Sequence, residues 1–237
     1  MINIVCWKWD AGLHPKKKLL FTSTHVNRLG HMLSRNLSIP YQFHCITDDP
    51  EGVEDSVNCI PLWDDYADMG GCYRRLKIFS EEMKDQIGDY IVSIDLDCVI
   101  LRDISDLFDQ RPDFKALKGT NPRTFYSGTL FMLRAGARKE VWDDFDPMKA
   151  KELERVRSPR TRRKTKFVGT DQAYISHVLK DEPVWEPGDE GIYLFRKFRK
   201  GARPLPSNTR VVFFNGVYDP SQRQICKEFP WIKKYWR

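Results

Sequence analysis

The sequence predicts an α/β protein whose mixed sheet is flanked by helices, and three observations carry that prediction. Strand and helix patterns alternate through the first hundred residues. Tyr90-Ile91-Val92-Ser93-Ile94 is a nearly continuous apolar run, the pattern of a strand covered on both faces. Polar, turn-forming loops follow the strands directly, at the carboxyl ends where open α/β sheets bind ligands.

Ile2–Cys6 is apolar and β-branched, a first strand; Val26, Leu29, Leu33 and Leu37 recur at helical spacing, and Tyr41–Ile46 is a second strand. Thr47-Asp48-Asp49-Pro50-Glu51-Gly52 stops that strand with turn residues. Cys72, Leu76, Phe79 and Met83 make one face of a helix that Gly88-Asp89 ends. After the strand 90–94 come an apolar segment Gly128–Leu133, a helix near Ala137–Phe145, a helix Thr170–Leu179 and a strand Arg210–Phe214. No internal repeat is visible.

The 237 residues, 41% hydrophobic and 13% aromatic, can bury roughly 70–75% of their unfolded surface, which excludes overall disorder. A net charge of +6 is too mild to define a partner. No apolar stretch reaches the roughly 18–20 residues of a bilayer span, and Met1–Lys8 has neither a basic n-region nor a long h-region, so a soluble, cytoplasmic protein is expected. Cys6, Cys45, Cys59, Cys72, Cys98 and Cys226 are scattered without metal spacing and are expected reduced and mostly buried.

Asp95 and Asp97 end the apolar strand two residues apart, so period-2 geometry turns both carboxylates to one side and Leu96 to the other. Paired hard oxygen ligands suit Mg²⁺ or Mn²⁺, which bridges diphosphate oxygens. The same tripeptide also ends ordinary strands. Arg74, Arg75 and Lys77 are placed either to reach such a diphosphate or to form a solvated helix face. His14, His25, His31, His44 and His177 are isolated and receive no catalytic role. No G-x-S-x-G elbow is present, and Gly70-Gly71 lacks the Lys-Ser/Thr of a P-loop.

Val26-Asn27-Arg28-Leu29, Cys45–Gly52, Tyr73–Phe79, Ile94–Asp97 and Gly169-Thr170-Asp171-Gln172-Ala173 occur in this order. Together they resemble bacterial and phage glycosyltransferases of the GT-A fold, related to the glycogenin-like group (family 8), over nearly the whole chain. The resemblance implies one Rossmann-like GT-A domain over 1–237, with a nucleotide-binding half 1–100 and an acceptor and sugar half 101–237. It implies transfer of a sugar from a nucleoside-diphosphate sugar, UDP-linked by preference, with Mn²⁺ or Mg²⁺ on Asp95 and Asp97. Thr47, Asp48 and Asp49 would line the base and ribose pocket, and Arg74 or Lys77 would contact the diphosphate. Ser127 and Gly128 would lie by the sugar, and Asp171 with Gln172 would face its hydroxyls. The family commonly places a His-Gly pair after its last core strand, whereas here Val211–Phe214 leads into Asn215-Gly216. Asn215 offers an oxygen to the metal but no positive charge to the leaving phosphate.

Arg155, Arg157, Arg160, Arg162, Arg163, Lys164 and Lys166 are seven cations in twelve residues without an acid. The segment fits a phosphate-rich acceptor, such as hydroxymethylated bases in phage DNA or an anionic glycan, and equally a solvated loop. Trp231 and Trp236 form an aromatic C-terminal tail that is either core or a cover for the site. A nucleotidyltransferase would use the same carboxylates on a nucleoside triphosphate. A non-catalytic nucleic-acid-binding module would explain the basic run and leave Asp95 and Asp97 without purpose.

Overall fold

The computed structural model describes residues 1–9, 21–157, 165–199 and 204–237. The chain runs β1 (Ile2–Lys8), α1 (Ser23–Asn36), β2 (Tyr41–Thr47), β3 (Asn58–Pro61), α2 (Met83–Gln86), β4 (Tyr90–Ile94) and β5 (Cys98–Ile100). There follow β6 (Phe114–Asn121), β7 (Thr124–Arg134), α3 (Glu140–Asp143), α4 (Pro147–Leu153), β8 (Arg155–Arg157), β9 (Thr165–Phe167) and α5 (Asp171–Val178). The last elements are β10 (Val184–Trp185), β11 (Pro187–Glu190), β12 (Ile192–Leu194), α6 (Arg196–Arg199), β13 (Val211–Phe213), α7 (Arg223–Glu228) and α8 (Trp231–Tyr235).

Seven strands form the main sheet in the order β10-β6-β7-β4-β1-β2-β3. β1 is parallel to β2 and β4, while β7 is antiparallel to both β4 and β6. The sheet therefore crosses residue 100, joining both halves of the chain. A smaller sheet, β12-β13-β5, pairs β13 parallel to β12 and antiparallel to β5.

Alternation along the central strands divides the core. Ile2, Ile4 and Cys6 of β1 enter one cluster with α1 and the smaller sheet; Val5 and Trp7 enter the other with Tyr73, Leu76, Phe79 and Ile175. In β4, Val92 and Ile94 join the first cluster and Ile91 the second. Both faces are covered, which is why these strands are apolar at nearly every position.

The helix expected over 72–83 is two pieces. Tyr73–Phe79 is a 3₁₀ segment, the backbone is extended at Ser80, and α2 begins at Met83. Five of the seven 3₁₀ residues are buried, including Arg75, so this segment lies inside the protein and has no solvated face of cations. All six cysteines are free, and Cys6, Cys45 and Cys59 sit in register across β1, β2 and β3. The C-terminal tail is core: Trp236 is buried beneath Arg28, whose guanidinium lies 3.9 Å from its ring, and Arg35 Nη2 donates to Tyr235 O at 3.1 Å. The basic segment begins and ends in the antiparallel hairpin β8/β9, which carries Arg155, Arg157 and Lys166. Arg160, Arg162, Arg163 and Lys164 lie outside the described residues. Among the described residues, no helix is long and apolar enough to cross a membrane.

Candidate active site

At the carboxyl end of β4 the chain passes from one sheet to the other. Asp95 N donates to Thr129 O of β7 at 2.9 Å, and Asp97 O accepts from Phe214 N, just beyond β13, at 2.8 Å. Leu96 between them is 1% exposed, while both acids are partly exposed, as strand alternation requires. The two carboxylates are thereby held at the junction of two sheets by backbone hydrogen bonds. Burial pushes the Asp95 carboxyl up, opposed by Arg75. Burial also raises Asp97 far above the ordinary carboxylate range, and the neighbouring charges of Asp95 and Asp219 add to the effect.

Arg75 organises this edge. Its Nη1 donates to Asp95 Oδ1 at 3.1 Å, its Nε lies 3.5 Å from Asp171 Oδ2, and its Nη2 donates to Gly128 O. Burial by itself lowers a guanidinium, but Asp171 and Asp95 outweigh it and raise Arg75, so the cation is permanent. Asp171 opens α5, and Thr170 Oγ1 donates to its Oδ1 at 3.3 Å while accepting from Cys72 N at 3.1 Å. Burial, followed by the Asp171 charge, pushes the Cys72 thiol up to about 12, leaving it neutral and non-nucleophilic. A Cβ at Gly128 would stand 3.1 Å from Asp171 Oδ2, so glycine permits the close approach of β7 to α5. Ser127 Oγ accepts from Thr129 N at 3.3 Å, and Gln172 Nε2 donates to Val168 O at 3.2 Å.

The structure thus brings Asp95, Gly128 and Asp171 together around Arg75, with Asp97 next to Asp95. Arg74 and Lys77 are directed elsewhere. Arg74 Nε donates to Trp63 O at 2.6 Å, and Lys77 pairs with Asp65 at 2.8 Å and Glu82 at 3.2 Å, so both brace the loop after β3. Of three adjacent cations only Arg75 turns inward, which sequence spacing on an assumed α-helix does not distinguish.

The loop after β2 is closed on itself. Thr47 Oγ1 donates to Asp49 O at 2.9 Å and accepts from Asp49 N at 3.1 Å, while Asp49 Oδ1 accepts from Glu51 N at 3.0 Å. Lys8, buried at the end of β1, donates to Asp49 Oδ2 at 3.0 Å and to Asp49 O. The Glu51 amide and the Lys8 ammonium hold the Asp49 carboxyl below the usual carboxylate range. Among the described residues, the exposed Asp48 has no hydrogen bond or ion pair. Lys8 was not apparent in the sequence as a site residue; its only signal is a charge ending an otherwise apolar strand.

Beyond β13, the buried Asn215 Oδ1 has no hydrogen-bond partner among the described residues, and Gly216 adopts a positive φ of 78°. Among the described residues no group of three His, Cys, Asp or Glu side chains is arranged to hold a metal. Asp95, Asp97 and the amide oxygen of Asn215 are hard oxygen donors, the chemistry that suits Mg²⁺ or Mn²⁺.

No protein-family model matches the sequence, and no curated protein sequence matches it. Solved structures do. The galactosyltransferase LgtC, in complex with donor and acceptor sugar analogs, superimposes with a TM-score of 0.60 at 12% identity, over 98% of this chain and 94% of its own. An LgtC active-site variant with glutamate in place of glutamine gives 0.60 at 11% identity, over 98% and 95%. The glycosyltransferase GlyE of Streptococcus pneumoniae TIGR4 gives 0.57 at 12% identity; it matches 100% of this chain, which spans 62% of GlyE. At such identities the likeness is one of fold, and the expected mixed α/β GT-A architecture is what the chain has.

Proposed function

We propose that the protein is a glycosyltransferase that moves a sugar from a nucleoside-diphosphate sugar to an acceptor hydroxyl. The observation that carries this reading is the pairing of Asp95, two residues before Asp97, and of Asp171 with the buried Arg75 at the carboxyl edge of a GT-A sheet. Residues 1–100 supply the nucleotide side, with Thr47 and Asp49 fixing a loop from which Asp48 is free to meet the base and ribose. Residues 101–237 supply Ser127 and Gly128 beside the sugar, and Asp171 and Gln172 toward its hydroxyls. An active-site glutamine in LgtC supports the role of Gln172.

Asp95, Asp97 and Asn215 would hold Mn²⁺ or Mg²⁺, which when bound supplies charge neutralisation for the departing diphosphate. The remaining chemistry belongs to this chain. Arg75 holds Asp95 and Asp171 in fixed orientation, so no side chain must reorganise as charge develops. With retention of configuration, the bond from the anomeric carbon to the diphosphate breaks and the acceptor oxygen bonds to that carbon. Its proton passes to the leaving phosphate, and no protein base is needed. Asp171→Ala is expected to cut turnover more than nucleotide binding.

The acceptor is proposed to be a sugar hydroxyl, supported by the acceptor analog bound to LgtC. A DNA acceptor is a second reading, favoured by the exposed Arg155, Arg157 and Lys166 on the β8/β9 hairpin. It requires duplex binding that weakens steeply with salt and with Arg155→Ala/Arg157→Ala, and salt-independent or absent binding removes it.

The donor is tested by thermal shift with UDP, GDP, CDP and ADP, with and without Mn²⁺. Ligand at 100 times its dissociation constant adds about 2.7 kcal/mol, roughly 5–10 °C here. A Mn²⁺-dependent shift lost in Asp95→Ala/Asp97→Ala is the expected result. No shift with any nucleotide defeats the reading.

A further inference from the structure

Breaking the bond to a diphosphate leaves charge on the leaving group, so the function proposed above calls for a protein cation beside Asp95 and Asp97. The cations first in view are already committed. Arg75 is shared by Asp95 and Asp171, Arg74 and Lys77 serve the loop after β3, and Lys8 is tied to Asp49. Asn215 carries no charge.

The smaller sheet offers another. β12 and β13 run parallel in register, with Leu194 opposite Phe213, and Phe195 N donates to Phe213 O at 2.8 Å. The next residues, Arg196 on one strand end and Asn215-Gly216 on the other, therefore emerge together. On the far side of β13, Phe214 N donates to Asp97 O at 2.8 Å. Arg196, Asn215-Gly216 and Asp97 thus stand in one row across three neighbouring chain segments. Adjacent segments are about 5 Å apart, a span that an extended arginine side chain covers.

The guanidinium already leans along this row. It rests on Gly216, with Cζ 3.4 Å and Nε 3.8 Å from where a Cβ would stand. Glycine there both allows the positive φ and leaves room for the guanidinium. Arg196 is exposed and, among the described residues, has no carboxylate partner. A guanidinium presents a planar fork of donors suited to phosphate oxygens.

We propose that Arg196 is a catalytic residue of this chain, binding the diphosphate of the donor and stabilising charge on the leaving group from the end of β12. This assignment rests on the glycosyltransferase reading and supplies the positive charge that Asn215 lacks.

The test is calorimetric titration of UDP, GDP, CDP and ADP, and of the matching nucleosides, with Mn²⁺ or Mg²⁺, into the wild type, Arg196→Met and Arg196→Lys. The expected result is one nucleoside diphosphate that binds the wild type and is weakened about 10- to 100-fold in Arg196→Met, with Arg196→Lys between them. Affinity for the matching nucleoside and the melting temperature of the free protein stay unchanged, because Arg196 is exposed and, among the described residues, has no carboxylate partner. With a turnover assay in hand, kcat falls about 100-fold in Arg196→Met. Gly216→Ala, which pushes a methyl into the guanidinium, weakens the same diphosphate. Equal diphosphate affinity in the wild type and Arg196→Met overturns the role of Arg196 and leaves the donor reading standing. Failure of the wild type to bind any of the four diphosphates overturns the donor reading and this assignment together.

Discussion

Two stretches at the same edge of the main sheet are built in opposite ways. In the loop after β2, Thr47, Asp49, Glu51 and Lys8 satisfy one another, and the Asp49 carboxyl is held below its ordinary range. At the acid edge after β4, Arg75 Nε and Asp171 Oδ2 form a 3.5 Å ion pair without a hydrogen bond, the buried Asn215 Oδ1 has no hydrogen-bond partner among the described residues, and the carboxyls of Asp95 and Asp97 are pushed up. Unpartnered buried polar atoms are costly and uncommon. The loop satisfies its own polar groups, whereas the acid edge keeps two raised carboxyls beside a shared guanidinium.

The largest expected effect comes from removing the one device that makes the acid edge tolerable. Arg75→Met leaves Asp95 and Asp171 facing each other without their buried cation, and should cost about 3–5 kcal/mol in urea unfolding at neutral pH. A loss no greater than that of an ordinary surface substitution would show that the edge is not under the strain described.

The sign of a neutralising substitution then separates the regions. A carboxyl raised in the folded state costs stability as pH climbs above the unfolded value near 3.9, so Asp97→Asn should be more stable than the wild type at pH 7.5 in the presence of chelator. That advantage should vanish below about pH 4. Denaturant midpoints across pH measure it, and a destabilised Asp97→Asn at neutral pH would break the comparison.

Asn215→His tests whether the orphaned oxygen is replaceable. The variant is expected to fold and keep its Mn²⁺-dependent nucleotide shift, since imidazole also binds Mn²⁺ and brings a titratable charge. Loss of all turnover with intact folding would contradict it.

The smallest effect is at Asp49. Its lowered carboxyl contributes stability above the unfolded pKa that is lost as pH falls through the folded value, so Asp49→Asn should be slightly less stable than the wild type at neutral pH and equal to it in acid. Faster amide exchange at Glu51 in the variant would confirm that the loop, and not the global fold, has loosened.

Much of the frame was legible because burial on both faces leaves a continuous apolar signature. β1 and β4 show it, and α1 follows its periodicity. The smaller sheet was mostly missed, since β5 and β12 have three residues each and β5 is defined by pairing with β13 more than a hundred residues away. The segment 73–79 was misread as α-helix because its apolar spacing fits either helix type, while burial of Arg75 depends on Asp95 and Asp171. Periodicity measures which residues avoid water and cannot register a charge buried by its partners.

By itself, the sequence determined the strands β1, β2, β4, β7 and β13, the carboxylates that end β4 and the turn residues after β2, since these follow from local sterics and from which side chains leave water. Only the tertiary structure decided which of three adjacent cations turns inward, that Lys8 locks the loop after β2, and that Arg196 stands beside Gly216. Those choices are made by electrostatic partners brought from distant parts of the chain, and a charge has no fixed role until the fold determines what it faces.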